Sequence, residues 1–272
     1  MTITSPHNAK LQEVRRLARR RERDARGRFV AEGEDLLAAA DAAGWQPLHR
    51  LVAAGSGLAG EEVEPAALAA ASGLGSGTRA LGVYAAHQAP PVGPLCVALW
   101  GVADPGNVGA VLRSAVAFGA SSVALGPGTA DPFGPKAVRA SMGAIFAVPV
   151  GHVAALADLP GEVVALDAGA AEALRGPRTG PVTLLVGAER TGLPRDVVAA
   201  ADRVARIPIR SESLNAAMAA TVALYELVRD PEARGAVAGG PAGVPGVVAG
   251  GPPARPGVAA AESSPEARVP AR

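Results

Sequence analysis

Residues 95–118 read LCVALWGVADPGNVGAVLRSAVAF, and the fold class turns on them. The apolar run from Leu95 makes a short buried strand, Asp104-Pro105-Gly106 makes a tight turn, and a helix follows with Asn107 placed as its cap. Val108, Val111, Leu112 and Ala115 supply that helix with an apolar face, and Arg113 follows Asn107 by six residues. A guanidinium near a helix amino end attracts phosphate or another anion. Further apolar runs at 121–125, 145–150, 162–167, 182–187 and 203–209 are short, β-rich and bounded by Gly, Pro or Asp. Helical stretches at 107–118, 192–201 and 213–229 lie between them. Such alternation predicts an α/β domain with a parallel sheet covered by helices on both faces. Ligands of these sheets sit beyond the carboxyl ends of the strands, so the loops after 102, 187 and 209 are where chemistry is expected.

Two of those loops add to the first. Leu184-Leu185-Val186-Gly187-Ala188-Glu189 is a buried strand ending in glycine, where backbone approaches a ligand closely, with a carboxylate two residues on. Arg206-Ile207-Pro208-Ile209-Arg210-Ser211-Glu212-Ser213-Leu214-Asn215 leads into a helix that Ser211 or Ser213 is placed to cap, with Leu214, Met218, Val222 and Tyr225 as its stripe. Pro208 removes one donor from the strand end. Taken singly, each loop also fits an ordinary strand-to-helix turn with solvated charges. A dinucleotide-binding Rossmann turn is disfavoured, because its GxGxxG fingerprint is absent.

Upstream, residues 8–26 predict a basic helix, followed by strands at 28–31 and 48–53, helices at 33–43 and 65–71, and a strand at 80–85. The run Ala89-Pro90-Pro91-Val92-Gly93-Pro94 is a stiff linker, dividing residues 1–88 from a domain over 95–232. The last 40 residues, from Ala233, hold eight Gly, seven Pro and no aromatic residue, and are expected to form a disordered tail.

The formal net charge of +1 over 272 residues hides an asymmetry: residues 1–28 carry nine cations against three acids. Arg15, Arg16, Arg19 and Arg20 are therefore candidates for contact with RNA phosphates, weighed against a merely solvated helix face. An aromatic content of 3% argues against recognition resting on base stacking. The single cysteine, Cys96, excludes a disulfide framework and fits a buried thiol in a reducing compartment. His7, His49, His87 and His152 are scattered without metal-ligand spacing, so no metal is expected. The amino terminus has no apolar signal region, and the long uncharged windows are interrupted by Gly and Pro, so a cytoplasmic protein without a membrane span is expected.

Together and in order, DPGNVGAVLRSAVAFGAS, LLVGAERTGLP and IPIRSESLNAAMAATVALYE resemble the three motifs of the SpoU (TrmH) branch of the SPOUT methyltransferases. The amino end is similar to that family's substrate-binding extension, a small ribosomal-protein-like α/β domain, through SPHNAKLQEVRRL and RFVAEGEDLL. The resemblance implies a carboxy-terminal domain with a deep trefoil knot and S-adenosylmethionine as methyl donor. It also implies a homodimer built across the knotted region, and ribose 2′-O-methylation of RNA, with ribosomal RNA favoured over transfer RNA. A non-catalytic RNA-binding protein keeping the fold is the alternative from another class. Carried over position by position, the cofactor would rest on backbone around Gly187, Ile207 and Leu214. Asn107, Arg113, Glu189, Ser213 and Asn215 match active-site positions, and Ser141 resembles a further one. A ribose hydroxyl is a poor nucleophile, and the motifs hold no His or Cys to act as base. Arg113 is thus expected to pair with the target phosphate and orient the hydroxyl, Asn107, Glu189 and Asn215 to fix that geometry, and Ser213 to shape the pocket.

Overall fold

Leu11, Val14 and Leu17 recur at helical spacing and are buried in α1 (Ala9–Leu17), whose first turn is capped by the Asn8 side chain. The computed structural model describes residues 2–73, 77–210 and 213–229, so the expected tail from Ala233 lies outside the described residues. The basic helix expected over 8–26 is in fact two. Arg19 is extended (φ −94°, ψ 132°), and α2 (Arg20–Arg26) starts after it and ends on Gly27 at φ 59°. The break is stabilised by Arg23, whose guanidinium takes the Leu17 and Ala18 carbonyls that a continuous helix would have bonded internally.

The chain continues through β1 (Arg28–Glu32), α3 (Glu34–Ala42), β2 (His49–Ala53), β3 (Glu61–Val63), α4 (Pro65–Ala71) and β4 (Ala80–Ala85). These strands form one sheet in the order β1-β4-β2-β3, antiparallel except for the parallel β2–β3 pair. The two acids of Glu61-Glu62-Val63 hid β3 from any hydrophobic pattern; its pairing with Leu51–Ala53 defines it. Residues 89–94 do not hang free between sheets. Ala89 N donates to Val150 O, while the Ser122 hydroxyl accepts from Val92 N at 2.8 Å and donates to Val92 O at 2.7 Å.

The second sheet holds β5 (Leu95–Trp100), β6 (Ser122–Leu125), β7 (Val150–His152), β8 (Glu162–Leu166), β9 (Val182–Gly187) and β10 (Arg203–Ala205). All its pairs are parallel, in the order β10-β8-β9-β5-β6-β7. Between them lie α5 (Pro105–Ala117), α6 (Pro135–Ala140) and α7 (Arg195–Ala199), and α8 (Ala216–Val228) follows. The strand expected at 145–150 is instead a 3-10 turn, Ala144–Phe146, with β7 beginning only at Val150. Pro149 has no amide to donate, and Ile145 and Phe146 are buried as core side chains rather than ladder residues. Likewise β10 stops at Ala205, short of the Pro208 that cannot continue it.

Both faces of this sheet are covered. Leu95, Val97 and Leu99 pack with Val108, Val111 and Leu112 of α5 and Ala220 and Leu224 of α8, while Cys96, Ala98 and Trp100 pack with Leu159 and Val197. Of the chain's eight Phe, Tyr and Trp residues, Phe29, Trp45, Tyr84, Phe133 and Phe146 cluster where the first sheet meets the second, with centroids 5.0 to 6.2 Å apart. Five of the eight aromatic side chains are thus gathered into one seam, away from Trp100, Phe118 and Tyr225. No helix among the described residues is long and apolar enough to cross a membrane, and no group of His, Cys, Asp or Glu among them could hold a metal.

Candidate active site

The three loops converge at the carboxyl ends of β5, β9 and β10, and side chains link them in one hydrogen-bonded chain. Asn215 Oδ1 accepts from the amides of Ala217 and Met218 at 2.9 and 3.3 Å, which makes it the cap of α8. Its Nδ2 must therefore point outward, and it donates to Asn107 Oδ1 at 3.0 Å. Asn107 Nδ2 then donates to Glu189 Oε1 at 2.6 Å. Each amide is oriented by the one before it, and the chain terminates on a carboxylate that only accepts.

The caps differ from expectation at both helices. Asp104, not Asn107, caps α5, accepting from the amides of Gly106 and Asn107. Asp-Pro at the start of a helix carried that signal: a good capping oxygen followed by a residue whose missing donor costs nothing there. The bonded Lys136 ammonium 2.9 Å away, with help from those two amides, holds the Asp104 carboxyl below its ordinary range. At α8, Asn215 takes the capping place expected for Ser211 or Ser213, and Ser211 lies outside the described residues. Freed from capping, Asn107 spends its side chain on the link between loops.

Beside this chain lies a cavity of about 290 Å³, lined by Leu166 and Asp167 at the end of β8, Val186 to Gly192 at the end of β9 and in the loop beyond it, Ile207 and Ile209 after β10, and Ser213 and Leu214 before α8. The structure thus brings Gly187, Glu189, Ile207, Ser213 and Leu214 together around one cavity. The structure gives glycine at 187 a further reason. A Cβ there would stand 2.5 Å from Gly192 C and Leu193 N, so Gly187 admits the fold-back of its own loop. That fold-back is closed by reciprocal bonds between Ala188 and Gly192, the latter at φ 64°.

Arg113 is exposed on α5, about 9 Å along the axis from Asn107. It lines no part of this cavity and makes no hydrogen bond or ion pair among the described residues. Ser141 is fully buried and donates to Val138 O at 2.7 Å, which leaves it outside the site. Sequence reasoning missed Asp167 in the cavity wall and the 2.6 Å hydroxyl pair Ser114–Thr221, which joins α5 to α8. Ser114 was visible beside Arg113; Thr221 has no local signal, being 107 residues away. Of the four candidate RNA arginines, Arg16, Arg19 and Arg20 are exposed, Arg20 in a solvent-facing pair with Asp24 at 3.6 Å. Arg15 is half-buried and bonds the Pro6 and Ala70 carbonyls. Burial pushes the Cys96 thiol up, in keeping with a structural role.

A parallel α/β sheet whose strand-end loops close on one cleft defines a ligand-binding α/β protein. The SpoU rRNA Methylase family matches residues 94–225, and the MRM3-like substrate binding domain matches residues 8–76. Over 83% of this chain and 96% of its own, the fold superposes on the AdoMet-bound rRNA methyltransferase from Sinorhizobium meliloti, with a TM-score of 0.72 and 30% identity. The chain belongs to the SpoU rRNA methylase family. Among curated relatives, an uncharacterized tRNA/rRNA methyltransferase of Mycobacterium ulcerans is 38% identical over 157 residues, covering 53% of this chain and 49% of the relative. The 23S rRNA (uridine(2479)-2′-O)-methyltransferase of Streptomyces viridochromogenes is 37% identical over 145 residues, covering 46% and 49%. The chain thus spans about half the length of the curated relatives it matches.

Proposed function

We propose that this protein transfers a methyl group from S-adenosylmethionine to a ribose 2′-hydroxyl of RNA, with ribosomal RNA as the favoured substrate. The observation that carries this reading is the Asn215–Asn107–Glu189 chain, which joins three distant loops beside one cavity. The cavity suits the donor chemically. Leu166, Val186, Ile207, Ile209 and Leu214 offer an apolar wall for a purine, and Asp167 and Glu189 offer carboxylates to a cationic ligand. When bound, S-adenosylmethionine supplies a methyl already activated as a sulfonium, so the protein's work is positioning. Arg113, exposed and unpaired among the described residues, pairs with the target phosphate and turns the ribose hydroxyl toward the cavity. Asn107, Glu189 and Asn215 hold the wall of the site rigid while it does so, and Ser213 shapes the rim. Calorimetric titration should give one S-adenosylmethionine per chain and no heat with NAD; the reverse result would sink this reading.

The match of residues 8–76 to a substrate-binding domain supports placing RNA on the amino-terminal sheet and its basic helices. The S. viridochromogenes relative, named for 23S rRNA, supports the ribosomal choice. Reversing charge at Arg16 and Arg19 should weaken RNA binding about tenfold or more at low salt and flatten its salt dependence, while S-adenosylmethionine binding stays unchanged. Filter binding at several salt concentrations would check both parts; an unchanged salt slope would locate the RNA elsewhere.

A trefoil knot is supported by the bonds that residues 170–178 make to the segment after β10 and to α8. Arg206 N donates to Glu172 O, Leu174 N donates to Arg206 O, and Arg178 N donates to Leu227 O. At Gly176 a Cβ would stand 1.8 Å from Glu226 O, so that segment lies directly on α8. A homodimer through this region is supported by exposed Val116 on α5 and Met218, Val222 and Tyr225 on α8, an apolar stripe of the kind that marks an interface. Met218→Glu with Tyr225→Glu should convert a dimer to a monomer in light scattering. A wild-type protein that already runs as a monomer would refute the dimer. Cytoplasmic action completes the proposal.

A further inference from the structure

Arg23 belongs to the basic amino end, yet it is withdrawn from solvent, at 7% exposure. Its Nε and Nη2 donate to Asp131 Oδ2 at 2.8 and 2.7 Å, and Nη1 donates to the carbonyls of Leu17 and Ala18 at 2.8 and 2.9 Å. The other Asp131 oxygen accepts from Phe133 N at 2.8 Å, and the Phe133 ring packs 5.0 Å from Phe29. A buried ion pair is weak evidence for stability as such, but with its polar groups satisfied it fixes one geometry.

That geometry reaches the site. Thr129 Oγ1 donates to Leu99 O at 2.8 Å, and Ala130 N donates to Val102 O at 2.9 Å, which ties the Asp131 segment to the end of β5. Lys136, at the start of α6, holds the carboxylate of Asp104, and Asp104 caps the turn that carries Asn107. At the other end, α2 and the residue before it carry the exposed guanidiniums of Arg19 and Arg21. One bonded path therefore runs from the basic helices to the turn that bears Asn107.

We propose that Arg23 is a positioning residue: its buried pair with Asp131 locks the basic helices onto segment 129–136 and so holds the Asp104–Asn107 turn in place relative to bound RNA. The kinetic part of this proposal rests on the methyltransferase reading; the structural part does not. The full chain would be compared with Arg23→Lys, Arg23→Met and Asp131→Asn by amide hydrogen exchange, by RNA binding, and by kcat and KM for RNA methylation. Exchange should rise about tenfold or more in both 129–136 and 101–107. RNA affinity should change less than about threefold, and kcat should fall about tenfold or more, because small misplacements cost rate rather than binding. The Arg23→Met and Asp131→Asn effects on kcat should not add, as expected of partners in one interaction. Faster exchange confined to 129–136 and α2, with 101–107 and kcat as in the wild type, would overturn the proposal and leave Arg23 a local brace. If Arg23→Met fails to fold, Arg23→Lys and Asp131→Asn carry the comparison. A wild type that methylates no RNA would defeat the functional reading, and the exchange data would still decide the lock.

Discussion

Replacing Asn107 with aspartate is expected to lower methyl transfer by about two orders of magnitude or more, the scale of losing a placed polar group in an active site. The reason lies in the direction of the hydrogen-bonded chain. Asn107 Nδ2 donates to Glu189 at 2.6 Å, and aspartate puts a second carboxylate oxygen in its place. Two carboxylates at that separation cannot both stay ionised without moving apart, so one takes a proton or the β9 loop shifts away from α5. Pairing the change with Glu189→Gln tests the cause. Glutamine donates where glutamate accepted, so Asn215 and the glutamine replacing Glu189 would then both donate to an aspartate at 107. The double variant should recover thermal stability to within about 1 kcal/mol of the wild type, the usual scale of one hydrogen bond. A single variant as stable and active as the wild type, or a double variant worse than either single, would show that the chain does not hold the site.

Arg113→Ala is expected to cut kcat by about 10²- to 10³-fold while leaving the S-adenosylmethionine affinity within about twofold. Arg113 contributes no internal hydrogen bond or ion pair among the described residues, so its loss should leave the fold intact. Lysine at this position keeps the charge but not the planar two-pronged donor, and should recover only part of the rate. Single-turnover methylation at saturating RNA would measure both variants. Full turnover by Arg113→Ala with both ligands bound would remove this residue from the chemistry.

The strand–helix alternation was legible because each element carries a local signal: the short continuous apolar runs from Leu95 and Val182, and the helical stripe of Val108, Val111 and Leu112. The three loops were legible for the same local reason, each being a strand end followed by a helix. What could not be read was set by contacts between distant residues. Asn107 looked like a cap because it stands at a helix start, and only its 2.6 Å bond to Glu189, 82 residues on, shows its side chain spent elsewhere. Arg23 looked like one more solvated cation until Asp131, 108 residues away, was placed against it. The fold-back that needs glycine at 187 is likewise a matter of where Gly192 returns, which no spacing reveals. The strand order β10-β8-β9-β5-β6-β7 has no sequence period at all.

The most direct measurement is nucleoside mass spectrometry of ribosomal RNA from cells lacking this protein, after incubation with the purified chain and S-adenosylmethionine bearing a deuterated methyl group. Ribose 2′-O-methylation predicts the label on one nucleoside, retained on the sugar after the base is released, and lost with Arg113→Ala. Label on a base, or none in ribosomal or transfer RNA despite bound S-adenosylmethionine, would contradict it.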